Sequence, residues 1–427
     1  MNCNYKILII SGYDFSGTDA TSITLKNIFS DMPKENIAFI KTGNYHPLNN
    51  YRHIDIYPSF AGNVSKAKVV KNLSTHRGEV AGMTGSNRKN GIKARIFNRI
   101  HTIGSSYRML IPYKITKEVD SFIQDFNPDY IYSLLASDSI MGLCLSLSKR
   151  YDIPIIPHFM DDWQGVMFKN DALLCPARLR LVSHLKRIFK KSSFALAISE
   201  KMAKEYSGRY HCKFMPLMNC VEVNHNNEER ELDKNIRIVF SGGLHLNRAD
   251  SIEMLCKTLS SIQGYNFSLE LFTSQDNWEK YSHQFKDYAF VKYVGFVTQE
   301  EILKKNNEAD ILLHVESFNE KMKKYTRLSI STKIPEYLAS KRLIIAIGPV
   351  DIASIEYLKD NKAALILDNN IEENTKKLID VLNNRELHSL YISNAYNTYK
   401  ANHIQSELHK SLDTLFSNNK TKNKQNL

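Results

Sequence analysis

The chain has 427 residues, a formal net charge of +12 and 43% hydrophobic residues. That length is too great for one compact core and divides naturally into two domains, which the apolar content is sufficient to fill. No apolar run approaches the roughly 20 residues that a membrane-spanning helix requires.

The N-terminus, Met1-Asn2-Cys3-Asn4-Tyr5-Lys6, lacks the charged and apolar regions of a secretory signal and passes almost directly into a strand over 6–11. The cysteines (Cys3, Cys144, Cys175, Cys212, Cys220, Cys256) are scattered without C-x-x-C pairs, which points to reduced thiols in a cytoplasmic chain and to neither a zinc site nor a disulfide frame. After the first strand come a loop with Gly12 and Gly17, a helix over 21–30 and a second strand over 37–41. Much of the positive charge then follows: Lys66, Lys68, Lys71, Arg77, Arg88, Lys89, Lys93, Arg95, Arg99, Arg108 and Lys114, interleaved with Val69, Val70, Ile92, Ile96, Phe97 and Ile100.

Residues 126–133 form a turn leading into a strand, 153–160 another strand that ends at polar residues, and 194–199 a third that runs into a helix from Glu200. Between the last two lies a second basic run, Arg178, Arg180, Lys186, Arg187, Lys190 and Lys191, among Leu179, Leu181, Val182, Leu185, Ile188 and Phe189. Basic amphipathic helices of this kind attach to anionic membrane surfaces. Ordinary solvated helix faces give the same pattern, and both readings stay open. Nucleic acid is not expected as a partner, because no helix-turn-helix, RNP or zinc-finger pattern accompanies the charge.

Strands alternating with helices imply a parallel sheet covered on both faces, with ligands at the carboxyl ends of the strands. His158, Asp161, Asp162 and Gly17 fall at such ends. In His158-Phe159-Met160-Asp161-Asp162-Trp163 a histidine and carboxylates leave a buried strand beside a tryptophan, a set able to bind acceptor hydroxyls or assist their deprotonation. A strand end closed by an N-capping aspartate is the competing reading.

The pattern restarts in the second half, with strands over 236–241, 268–272, 291–294, 311–315, 343–347 and 364–367. The first ends in Ser241-Gly242-Gly243, followed by Arg248; glycines let the backbone approach a phosphate that an arginine can hold by parallel hydrogen bonds. Farther on, Ser331-Thr332-Lys333-Ile334-Pro335-Glu336-Tyr337-Leu338-Ala339 runs into an apolar strand closed by Gly348-Pro349, giving the order loop, helix, buried strand, turn. Unpartnered backbone N–H groups at the helix start, the Lys333 cation and the Glu336 carboxylate together suit a nucleoside diphosphate with an attached sugar.

The segment from Ser331 resembles the donor-site signature of GT-B glycosyltransferases related to family 4, whose second Glu of a Glu-x7-Glu pair lies in a helix reading Lys-x-x-Glu-Tyr-x-Ala. Leu328 stands where that family has its first Glu, and Glu316 and Glu320 lie too far upstream for the spacing; relatives in polysaccharide-building gene sets also lack it. The resemblance implies two Rossmann-like domains facing across a cleft: an acceptor domain over 1–218, a donor domain over 219–395, a helix over 396–416 packing back toward the first domain, and a disordered basic tail over 417–427. It places Gly17, Gly242, Gly243, Arg248, Ser331, Thr332, Lys333 and Glu336 at the donor and His158, Asp161, Asp162 and Trp163 at the acceptor. Catalysis falls to Asp162, His158, Arg248 and Lys333.

The reaction implied is transfer of a sugar from a nucleotide-sugar donor to a saccharide or lipid-linked acceptor, with retention of configuration. Cations rather than a metal would stabilise the departing diphosphate, and no cofactor is expected. Adjacent Asp161-Asp162 is not the Asp-x-Asp of metal-dependent GT-A enzymes. A non-hydrolysing sugar-nucleotide epimerase and a catalytically inactive GT-B binding subunit are the alternatives.

Overall fold

A computed structural model of the chain describes residues 3–43, 48, 50–58, 99, 101, 103–104, 106–169, 171–222 and 228–425. Most of the first basic stretch, from Lys66 to Arg95, lies outside the described residues. The chain divides into two units, one formed by residues 1–217 with 406–427 and the other by 218–405.

The first unit is built on a seven-stranded sheet of order β3-β2-β1-β4-β5-β6-β7. Its strands are β1 (Ile7–Ser11), β2 (Ile37–Lys41), β3 (Arg52–Asp55), β4 (Tyr130–Ser133), β5 (Ile155–Phe159), β6 (Ala195–Ala197) and β7 (Phe214–Pro216). Every pairing is parallel, with Ile7 opposite both Ile37 and Tyr130. β1 reads Ile-Leu-Ile-Ile because both faces are covered, and Ile7 through Ile10 have no exposed surface. Strand order reverses between β1 and β4, which locates the crevice for a ligand in a doubly wound sheet.

The second unit repeats the plan with six strands in the order β10-β9-β8-β11-β12-β13. These are β8 (Asn235–Ser241), β9 (Asn266–Phe272), β10 (Val291–Tyr293), β11 (Ile311–Val315), β12 (Leu343–Ile347) and β13 (Leu365–Leu367), again all parallel. Side chains alternate across the sheet: Ile238 and Phe240 join the core on one face, Val239 that on the other. The switch point falls between β8 and β11, where Ile238 lies opposite Ile311.

The end of the chain differs from the expectation. In place of one helix over 396–416 and a disordered tail there are two helices, Arg385–Asn402 in the second unit and Gln405–Gln425 in the first. The last helix holds because it is packed. Phe416 is 1% exposed, stacks on Tyr5 at 5.2 Å and meets Tyr130 edge-on at 5.1 Å, while its carbonyl accepts a 2.8 Å bond from the Tyr130 hydroxyl. Lys420, read as part of the tail, bonds Asp129 Oδ2 at 2.9 Å and the carbonyl of Asn4.

Candidate active site

At the switch point of the second unit the β8 strand ends in Ser241 and the chain turns through Gly242 and Gly243 before the Arg248–Ser260 helix. Gly242 has φ +152°, and a side chain there would crowd Phe240 at 3.3 Å and touch the Lys333 ammonium at 3.5 Å. At Gly243 the His245 ring folds back to 2.2 Å from where a Cβ would stand, so a side chain there would have to displace that ring. The turn is further fixed by Asn277 Oδ1, which accepts from the Leu244 N–H at 3.1 Å.

Arg248, the first residue of its helix, reaches across to the end of β11. Its Nε donates to the Val315 carbonyl at 3.1 Å and its Nη2 to Glu316 Oε1 at 3.5 Å. Glu316 is 4% exposed, and its backbone is held as well: its N–H donates to Ile347 O at 2.7 Å and its carbonyl accepts from Ser251 Oγ at 2.9 Å. Chain spacing sets Glu316 aside as too far upstream; the fold places it just past the end of β11, beside Arg248. No sequence signal marks that pairing, since β11 and the glycine turn meet only through the parallel sheet. His314 Nε2 lies 3.0 Å from Ser354 Oγ, and burial, reinforced by the Arg248 and Lys333 cations, pushes that imidazole down to about 3, so it is neutral.

The donor segment joins this turn from β12's side. The Ile334–Ala339 helix is short, with Lys333 at its N-cap and Pro335 in its first turn. Tyr337 fixes it by a 3.2 Å contact between its hydroxyl and Ser241 Oγ, at the end of β8. Thr332 O accepts a 2.7 Å bond from Asn219 Nδ2. Burial lowers the Lys333 pKa, Arg248 lowers it further, and Glu336 and Glu316 oppose both. Glu336 receives a 2.5 Å bond from Gln299 Nε2, and burial pushes its carboxyl up to about 7 against the pull of Lys333. With Glu336 partly protonated at neutral pH and Glu316 offsetting one cation, the turn keeps a net positive field suited to an anion. Leu328, at the position of the missing first Glu, is fully buried apolar core.

The residues expected at the acceptor lie in the first unit and separate into two groups. His158 has no exposed surface; its Nδ1 lies 2.6 Å from the Tyr132 hydroxyl, and burial pushes the ring down to about 3. Asp162 is 5% exposed and spent on a bidentate pair with Arg209 (2.7 and 3.2 Å) and a 2.6 Å bond from the Tyr206 hydroxyl. Asp162 is thus taken up by Arg209 and Tyr206, whereas His158 is buried with only its Nδ1 facing the Tyr132 hydroxyl. Asp161 and Trp163 stay half-buried at the end of β5.

Gly17 stands where a Cβ would strike Ser22 Oγ at 2.3 Å and Asp19 Oδ2 at 2.9 Å, so its smallness serves the Asp19 cap of the Ala20–Phe29 helix. The same loop is anchored by a buried pair that sequence reasoning missed, Lys41 Nζ to Asp14 Oδ2 at 3.2 Å. Among the described residues no group of His, Cys, Asp and Glu is arranged to hold a metal ion, and no helix is long and apolar enough to cross a membrane.

No family model and no curated protein sequence matches the chain. Solved structures do. HepE from Anabaena, solved in complex with UDP and glucose, superposes with a TM-score of 0.60 at 11% identity, over 97% of this chain and 100% of that one. Sucrose-phosphate synthase from Thermosynechococcus elongatus gives 0.60 at 11% over 97% and 99%, and a glycosyltransferase from Rickettsia africae 0.59 at 12% over 98% and 99%. What is shared at such identities is architecture: two parallel α/β units in the GT-B fold.

Proposed function

We propose that the chain is a glycosyltransferase of the family-4 type that moves a sugar from a nucleotide-sugar donor to a saccharide or lipid-linked saccharide in cell-surface polysaccharide biosynthesis. The observation that carries this reading is the convergence of Arg248 and Lys333 on the Gly242–Gly243 turn at the switch point of the second unit, with Glu336 beside Lys333. In it, Arg248 and Lys333 neutralise the diphosphate as it departs, Ser331, Thr332 and the glycine turn offer backbone groups to the phosphates, and Glu336 accepts from sugar or ribose hydroxyls. The structures of HepE with UDP and with UDP-glucose support a nucleoside diphosphate as the ligand class. Retention and metal independence follow from the resemblance of the donor segment, with cations in the metal's place.

Acceptor contacts fall to His158, Asp161, Asp162 and Trp163 at the end of β5 in the first unit, of which Asp161 and Trp163 are the more exposed. The Cys175–Lys190 helix supports attachment to an anionic membrane surface. Leu179 is 67% exposed and Lys186, Arg187 and Lys190 are exposed on the same side, with Leu173 (60%) just before the helix.

Calorimetry with UDP and GDP, followed by a transfer assay with nucleotide sugars, tests the whole. Nucleotide binding by the wild type is expected, with Arg248→Ala and Lys333→Ala depressing turnover more than affinity. Wild-type protein that binds neither nucleotide would identify a binding subunit, and conversion of a nucleotide sugar without acceptor would identify an epimerase.

A further inference from the structure

We infer that Asn219 is a positioning residue that ties the donor loop to the two places where the chain passes between its units; this rests on the donor-site reading above. The chain enters the second unit at 218 and leaves it at 405. Just inside these points the two segments are fastened together. Val221 N–H donates to His403 O at 3.0 Å, Val221 bridges Ile404, and the Tyr399 hydroxyl donates to Val221 O at 3.2 Å.

Asn219, 2% exposed, is held through its own carbonyl, which lies 2.8 Å from His403 Nδ1. A carbonyl can only accept, so Nδ1 carries the proton and Nε2 accepts the Tyr357 hydroxyl at 2.8 Å. The His403 tautomer is thereby fixed at both nitrogens. From this rigid base the Asn219 side chain reaches to Thr332 O at 2.7 Å, one residue before Lys333. The bonds inside the loop itself are local: Ile334 N–H to Ser331 O at 3.1 Å and Lys333 N–H to Ser331 Oγ at 3.4 Å. Orientation of the Thr332–Lys333 peptide, and with it the direction of the Lys333 side chain over Gly242, is set from outside the loop by Asn219.

The test uses the full chain with Asn219→Asp, which keeps the shape but turns an acceptor toward the Thr332 carbonyl, and Asn219→Ala. UDP and GDP are the probes for calorimetry, and amide hydrogen exchange reads the loop directly. Expected are a roughly tenfold weaker nucleotide affinity and faster exchange at Lys333, Ile334 and Tyr337, with β8 and β11 amides as protected as in the wild type. Unchanged affinity and loop exchange would overturn the inference. So would loosening spread evenly over β8 and β11, because that marks a merely structural asparagine. A wild type that binds neither nucleotide would sink the donor-site reading instead, and the exchange measurement would still decide whether the loop depends on Asn219.

Discussion

Arg248 does two jobs that a substitution separates. Its cation faces the proposed diphosphate, and it also neutralises Glu316, which has 4% exposure. Arg248→Ala and Lys333→Ala should each lower turnover by about 10²–10³-fold at saturating donor, the scale for losing a preorganised group that meets developing charge. Arg248→Ala should also lower the melting temperature by removing the ion pair from a buried carboxylate, and adding Glu316→Gln should restore part of it. Glu336 gives a pH signature. With its carboxyl at about 7 before donor binds, the carboxylate form that hydrogen-bonds hydroxyls is lost as pH falls through that value. Affinity for a nucleotide sugar should weaken below pH 7 by at most about tenfold per unit, and Glu336→Gln should flatten the profile. A nucleotide sugar is the proper ligand, because a free diphosphate titrates in the same range. Lys333, Glu336 and the glycine turn were legible in sequence because they sit in one local pattern. Glu316 was not, and neither was the pairing that closes Asp162, whose partner Arg209 lies 47 residues away.

At the scale of elements, strands were legible wherever both faces of the sheet are covered, since such strands read as unbroken apolar runs. The break between the Arg385–Asn402 and Gln405–Gln425 helices was not, because polar and apolar residues continue through it at helical spacing. What decides the second helix is tertiary packing by Leu412 and Phe416, both almost without exposed surface. Phe416→Ala removes a ring from contact with Tyr5, Tyr130 and Phe194 and should cost about 3–5 kcal/mol. Urea unfolding of the first unit, followed by near-ultraviolet signals of those tyrosines, checks the loss, and a midpoint unchanged within error would show that the helix is not part of that core.

For the molecule as a whole, net charge misleads unless each cation is traced to its partner. Arg178 donates to the Met167 carbonyl at 3.1 Å and to that of Gln164, and Arg180 is paired with Asp138 at 2.8 Å, so both already have internal partners. Lys186, Arg187 and Lys190 remain exposed beside Leu179. Changing these residues to Glu should abolish co-sedimentation with vesicles containing anionic lipid while leaving the fold intact. The attraction is roughly 1 kcal/mol per basic residue near the surface, and it weakens as salt shortens the screening length. Equal binding by wild type and variant would make this face ordinary solvated surface.

The last helix carries a consequence for biosynthesis. The first unit takes its opening residues from the start of the chain and Leu412 and Phe416 from near its end, whereas the second unit is drawn from one unbroken stretch. A ribosome therefore finishes the second unit while the first still lacks part of its core, and the unit begun earliest is completed last. Until that last helix emerges, Tyr5 and Tyr130 wait with an apolar face uncovered, which makes the nascent first unit the natural client for a chaperone.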